Sequence, residues 1–212
     1  MIVTIDGPAA SGKNTIAKIL ADKLNFTFLP TGNIYRALAK KIDELQIDST
    51  NIEKIVDVAS DIKIEDLADP ALAADRFGIL ASQIAIYPEV RDSLLVFQRS
   101  FANLNLIVEG RDVGTVVFPN AEIKIFITAN QEVRAKRRYF ELVKSNPDAS
   151  LEKILQNLKI RDEQDQSRKI APLIPAKDAV IIDSSNLSID EVVTTIANII
   201  YSHNKVILKG TL

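Results

Sequence analysis

A short apolar run, "IVTID", passes at once into "GPAASGKNT", Gly7 to Thr15, and then into a helical repeat of Ile16, Ile19, Leu20 and Leu24. Strand, glycine loop and amphipathic helix in that order leave few folds open. Gly7 and Gly12 permit the backbone angles and close approach that turn successive N–H groups toward one anion. The helix start adds its positive dipole end, and Lys13 supplies a point charge that reaches β- and γ-phosphates. The stretch Gly7, Pro8, Ala9, Ala10, Ser11, Gly12, Lys13, Asn14 and Thr15 is therefore the candidate nucleotide-binding set. One letter departs from the usual pattern, which puts a Ser or Thr hydroxyl directly after the lysine for magnesium. Asn14 stands there, and the hydroxyl arrives one residue late, at Thr15. The loop is either damaged or built in a different register.

The rest of the chain repeats the alternation. "FTFLP", "LNLIVEG", "EIKIFIT" and "DAVIID" are further strand candidates, separated by helical patterns, as a parallel sheet with crossover helices requires. A helix runs through "NIYRALAKKIDEL", Thr50 and Glu53 form a capping box ahead of "IEKIVDVA", and "SIDEVVTTIANII" closes the fold as a helix. Two stretches break the rhythm. From about Asp61 to Asp75 the chain is irregular and acidic, an excursion from the core. From Gln131 to Arg168 it is helical and densely charged, either a mobile cover over a site or a solvated helical hairpin.

Bulk properties narrow the function classes. A chain of 212 residues suits one domain with a small insertion, and 47 % hydrophobic with 25 % charged residues is ordinary globular composition. A net charge of −2 gives no general attraction for nucleic acid, and with 6 % aromatic residues no stacking platform is evident. The chain lacks cysteine, which removes disulfides and thiolate metal sites and suits a reducing compartment. No signal-like start is visible, and no apolar stretch approaches the roughly 20 residues that span a bilayer. A soluble cytoplasmic protein without membrane or nucleic-acid partners is expected. The single histidine, His203, lies near the C-terminus, so histidine acid–base chemistry is not expected.

Three more clusters carry potential chemistry. In "TGNIYRA", Thr31 and Gly32 make a turn, and Arg36 enters a helix at the edge where open α/β sheets bind ligands; its fork suits a phosphate. In "EGRDVGTVVFP", Arg111 and Asp112 sit between Gly110 and Gly114, either bracing a turn or forming a substrate site. In "RDEQDQSR", Arg161, Asp165 and Arg168 share a helical face, for internal salt bridging or for a ligand.

Taken together, these strings resemble the bacterial cytidylate kinases. The likeness runs nearly end to end, through "IDGPAASGK", "TGNIYRAL", "ASQIAIYPEVRDSLL", "VEGRDVGTVVFPNAEIKIFITAN", "RDEQDQSR" and "APLIPAKDAVIIDSS". It implies a P-loop three-layer α/β fold with a five-stranded parallel sheet. The core is expected at 1–60, 87–130 and 169–204, with an acceptor-side insertion at about 61–86 and a helical lid at about 131–168. The implied activity is transfer of the γ-phosphoryl group of ATP to CMP or dCMP, with Mg2+, by a monomer. The family often places a threonine second after the lysine. Thr15 matches that register and is the implied magnesium ligand, directly or through water. Asn14 stands where the family has a small residue or serine. Pro30 replaces its usual aspartate, and the stretch between Ile62 and Gly78 is shorter than the family's.

By the same resemblance, Thr31 edges the CMP site, and Ser82, Arg91 and Asp112 read the cytosine. Arg36, Arg111 and Arg168 hold the acceptor phosphate, and Arg161 and Asp165 meet the sugar. Arg134, Arg137 and Arg138 resemble lid arginines, with Lys13, Arg111, Arg134, Arg138 and Arg168 as the implied catalytic set. Asp112 would accept from the cytosine amine and meet the uracil carbonyl acceptor to acceptor, a mismatch worth on the order of 1–3 kcal/mol. No general base is needed, since a phosphate monoester is largely ionised above its second pKa of about 6; alignment and charge neutralisation suffice. Two other readings stay open: a P-loop kinase for another small acceptor, and a nucleotide-binding regulator that has lost transfer activity.

Overall fold

The computed structural model describes residues 1–143 and 146–209, with side chains described as far as residue 203. The chain divides into two compact units, Met1–Phe28 with Asn105–Leu212, and Leu29–Leu104.

The first unit is built on strands β1 (Ile2–Asp6), β3 (Leu106–Gly110), β4 (Ile123–Thr128) and β5 (Val180–Asp183), with β2 (Thr27–Pro30) spanning the division between the units. The five strands form one sheet in the order β2–β3–β1–β4–β5. β1 lies at its centre, parallel to β3 on one side and β4 on the other, and β5 runs parallel to β4. Central parallel strands are covered on both faces and so read as continuous apolar runs, which is why "IVTID" and "LIVEG" were legible as strands. β5 is an edge strand and keeps Ile181 exposed. Val3 and Ile5 of β1, Ile107, Ile125, Ile127 and Ile182 pack with Ile16 and Leu20 of α1 (Lys13–Leu24) and Val193 and Ile196 of α8 (Ile189–Lys209). Each such side chain, fully buried, contributes about 1.5–3 kcal/mol. Helices α6 (Gln131–Leu142) and α7 (Leu151–Ser167) fill the charged stretch 131–168, packing Ala135, Ile154 and Leu158 with Ala9.

The parallel register fixes which residues share the carboxyl edge of the sheet. Ile5 lies opposite Glu109, and Asp6 opposite Gly110 and Phe126. The glycine loop leaves β1 at that edge, where open α/β sheets take their ligands.

The second unit is helical: α2 (Thr31–Glu44), α3 (Ile52–Ser60), α4 (Asp75–Ile84) and α5 (Pro88–Arg99), with two 3₁₀ turns at Ile64–Ala68 and Pro70–Ala73. α2 packs on α4 and α3 on α5. Ile34, Leu38 and Ile42 give α2 its buried face, at helical spacing. Three expectations need correction. Thr31 and Gly32 form no separate turn, because α2 begins at Thr31 directly after β2. The acidic stretch from Asp61 is ordered by its 3₁₀ turns, which bury Leu67 and Leu72. The cap of α3 is Asn51, whose Oδ1 accepts from Lys54 N at 3.3 Å, not Thr50, which turns back to Asp48 through both its N–H and its hydroxyl. An Asx-type turn satisfied Thr50 first. Among the described residues no helix is long and apolar enough to cross a membrane.

Candidate active site

The loop adopts the conformation its glycines allow. Gly12, at φ 87°, caps α1 in the left-handed region, and Ala10 joins it there at φ 57°. At Gly7 the constraint is space: a Cβ there would lie 2.1 Å from the Ile127 carbonyl oxygen on neighbouring β4. Among the described residues, the Ser11 hydroxyl is buried without a hydrogen-bond partner. Arg137, from α6, donates to the Ser11 carbonyl at 3.4 Å and to the Ser184 hydroxyl and carbonyl at 3.0 and 2.6 Å.

Lys13 is buried and donates to the Pro8 carbonyl at 3.1 Å, with Glu109 3.9 Å away. Burial, then the charge of Arg111, pushes its ammonium down to about 7, against an upward pull from Glu109. Asn14 Nδ2 donates to Glu109 Oε1 at 3.3 Å. The odd letter of the loop thus holds the carboxylate that faces the loop's lysine. Asp6 accepts from the backbone N–H of Val113 at 2.8 Å and Gly114 at 2.7 Å. Burial raises its carboxyl to about 6, partly offset by those two N–H groups. This pairing ties the end of β1 to a π-helical turn, Val113–Val117, opened by Asp112; such turns recur at functional sites.

Asp165, near the end of α7, gathers the arginines of two motifs. Arg111 Nε donates to its Oδ2 at 2.9 Å and Arg168 Nη2 to its Oδ1 at 2.5 Å. Burial works to raise this carboxyl, but Arg111, Arg168 and Arg161 outweigh it and hold it below the usual range. Arg168 Nε is buried with no hydrogen-bond partner among the described residues, a donor suited to an anion. Arg111, Arg161 and Asp165 all act electrostatically on Lys13. The structure therefore brings the "GRD" and "RDEQDQSR" strings together with the loop lysine.

Arg134 is placed differently from Arg138. It is buried, donating to the carbonyls of Ala129 at 2.9 Å and Ala9 at 3.1 Å, and it forks onto Asp162 at 3.2 and 2.6 Å. Arg138 pairs with exposed Glu141 one turn along, at 3.1 Å. Thr15 is exposed on the first turn of α1. Within the helical unit, Thr31 is buried, Arg36 Nη1 donates to the Leu72 carbonyl at 2.6 Å, and Ser82 Oγ to the Gly78 carbonyl at 3.0 Å. Arg91 is buried, donating to the Ala85 carbonyl at 3.3 Å with its guanidinium 5.8 Å from the Tyr35 ring centre.

Sequence reasoning gave Glu109, Asp6 and Asp162 no site role. Each left a signal: Asp6 closes β1 and Glu109 stands next to last in β3, acids in largely apolar strands, and Asp162 is an unassigned acid of "RDEQDQSR".

A glycine loop between the central strand and its helix, with a buried lysine and a knot of arginines at the carboxyl edge of a parallel sheet, defines a P-loop kinase. Two solved structures share this fold. An uncharacterized protein from Eubacterium ventriosum aligns with a TM-score of 0.52 at 15 % identity, over 95 % of this chain and 99 % of that one. A shikimate kinase from Bacteroides thetaiotaomicron aligns with a TM-score of 0.50 at 12 % identity, over 95 % and 98 %. The chain belongs to the cytidylate kinase family, whose model matches residues 3–202. The cytidylate kinase of Rickettsia bellii is 45 % identical over 189 residues, covering 88 % of this chain and 86 % of its own. That of Colwellia psychrerythraea is 40 % identical over 211 residues, covering 92 % and 93 %.

Proposed function

We propose that the chain transfers the γ-phosphoryl group of ATP to CMP or dCMP, giving ADP and CDP or dCDP. The observation that carries this reading, beside family membership, is the convergence of Arg111 and Arg168 on buried Asp165. Their partner carboxylate fixes the direction of both forks, and two oriented guanidinium groups match a dianionic phosphate.

In this reading the loop from Gly7 to Thr15 cradles the ATP phosphates. Lys13 exchanges the Pro8 carbonyl for phosphate oxygens and becomes fully charged among them. Arg36, Arg111 and Arg168 bind the acceptor phosphate, Arg161 and Asp165 the sugar, and Ser82, Arg91 and Asp112 the base, with Thr31 at its edge. Arg138 serves the transferring phosphoryl group, and Arg134 serves it by holding the loop through the Ala9 carbonyl. Segments 61–86 and 131–168 act as acceptor-side insertion and lid, excluding water that would otherwise accept the phosphoryl group.

Among the described residues no group of three or more His, Cys, Asp or Glu side chains could hold a metal ion. Magnesium asks for no such cage, since it keeps waters and binds phosphate oxygens with one or two protein ligands. Thr15, exposed beside the loop, suits that need, with Glu109 within reach of Lys13 and Asn14. When bound, the ion neutralises charge developing on the phosphates. We place the enzyme in the cytoplasm, as a monomer.

The test is ADP release with ATP and magnesium, run in parallel with CMP, dCMP, UMP and AMP. Turnover with CMP well above UMP, and none with AMP, is expected. Equal rates with UMP would remove Asp112 from base recognition. Binding without ADP from any acceptor would make the chain a regulator.

A further inference from the structure

We propose that Gly78 is a positioning residue for the acceptor phosphate, its missing side chain forming the seat on which the Arg36 guanidinium lies. The proposal rests on the reading of Arg36 as a phosphate-binding residue.

Gly78 is buried within α4, a helix interior where glycine is the poorer choice beside alanine. Its backbone does not explain it, because no left-handed angle occurs there. Space does. A Cβ at Gly78 would lie 2.5 Å from Arg36 Nη2, 3.0 Å from its Cζ and 3.3 Å from Nη1. The whole end of the guanidinium thus rests against the bare Cα. From that seat Nη1 reaches the carbonyls of Leu72 at 2.6 Å and Ala74 at 3.1 Å, which fix the plane of the fork. One turn on, Ser82 donates to the Gly78 carbonyl. A single residue therefore sets two side chains assigned to the acceptor, one by yielding room and one by accepting a hydrogen bond.

The clash an alanine would create is with the far end of a flexible side chain. The fold tolerates it by moving Arg36, so stability and acceptor binding part company. That separation distinguishes positioning from a structural role.

The experiment is steady-state kinetics and thermal unfolding of Gly78→Ala, Arg36→Ala and the double variant, with ATP and CMP. Gly78→Ala is expected to raise KM for CMP by about three- to tenfold, the effect of a displaced rotamer. KM for ATP should stay within about twofold of wild type and the melting temperature should not fall, while the double variant matches Arg36→Ala, since the two act as one. An unchanged KM for CMP in Gly78→Ala, when Arg36→Ala raises it, overturns the proposal alone. So does an additive double variant, or a rise in both KM values with a lower melting temperature. If Arg36→Ala itself leaves KM for CMP unchanged, the reading of Arg36 falls and takes the proposal with it.

Discussion

Lys13 sits where its charge is least comfortable until a phosphate arrives. Its ammonium, ordinarily at 10.5, titrates at about 7 in the folded chain. Between those values the unfolded chain holds a proton the folded one has released, so this group's contribution to stability rises with pH across that window. Phosphates should restore its pKa. At pH about 8, ATP binding is expected to take up protons, seen as a calorimetric heat that changes with the ionisation enthalpy of the buffer; no such dependence would mean that Lys13 is already charged. Arg134 offers a second check. Removing it strips buried Asp162 of both forked hydrogen bonds and leaves it the charge of Arg111, so Arg134→Ala should cost about 3–5 kcal/mol in denaturant unfolding. Residue types at the loop and in the "GRD" string were legible because few other chemistries need them. What Arg134 touches was not, since in "RAKRR" three arginines look alike and only packing buries one of them.

The elements were legible in proportion to how strongly local chemistry dictated them. All the strands announced themselves as apolar runs. The cap of α3 did not, because Thr50 and Asn51 both qualify and the Asp48 turn decides between them. Asn51→Ala should therefore lower stability by about 1 kcal/mol, and Thr50→Ala by less, as urea midpoints would show. The π-helical turn after β3 was also hidden, because its anchor is Asp6, more than a hundred residues away in sequence. Asp6 holds its proton to about pH 6 in the fold, against 3.8 ordinarily. The folded chain thus binds the extra proton between those values, and this contribution to stability falls as pH rises through them. The stability of wild type relative to Asp6→Asn should decline over that range and level off above it.

On the scale of the whole molecule, the alternation of strand and helix was enough to expect a parallel sheet, yet not the order β2–β3–β1–β4–β5 that centres the loop. Pairing order depends on contacts between distant segments, on which local pattern is silent. The proposed acceptor residues fall partly in the helical unit, the ATP loop wholly in the other. Arg91→Ala in the helical unit should raise KM for CMP by about tenfold or more, the loss of a charged hydrogen bond, with KM for ATP unmoved in the same assay. The loop itself limits what variation the gene can carry. With the Ile127 carbonyl 2.1 Å from where a side chain would begin, a fully randomised codon at position 7 should return glycine from every functional clone. At position 10, where alanine already endures a left-handed backbone, the same library should return glycine more often than the alanine it started from.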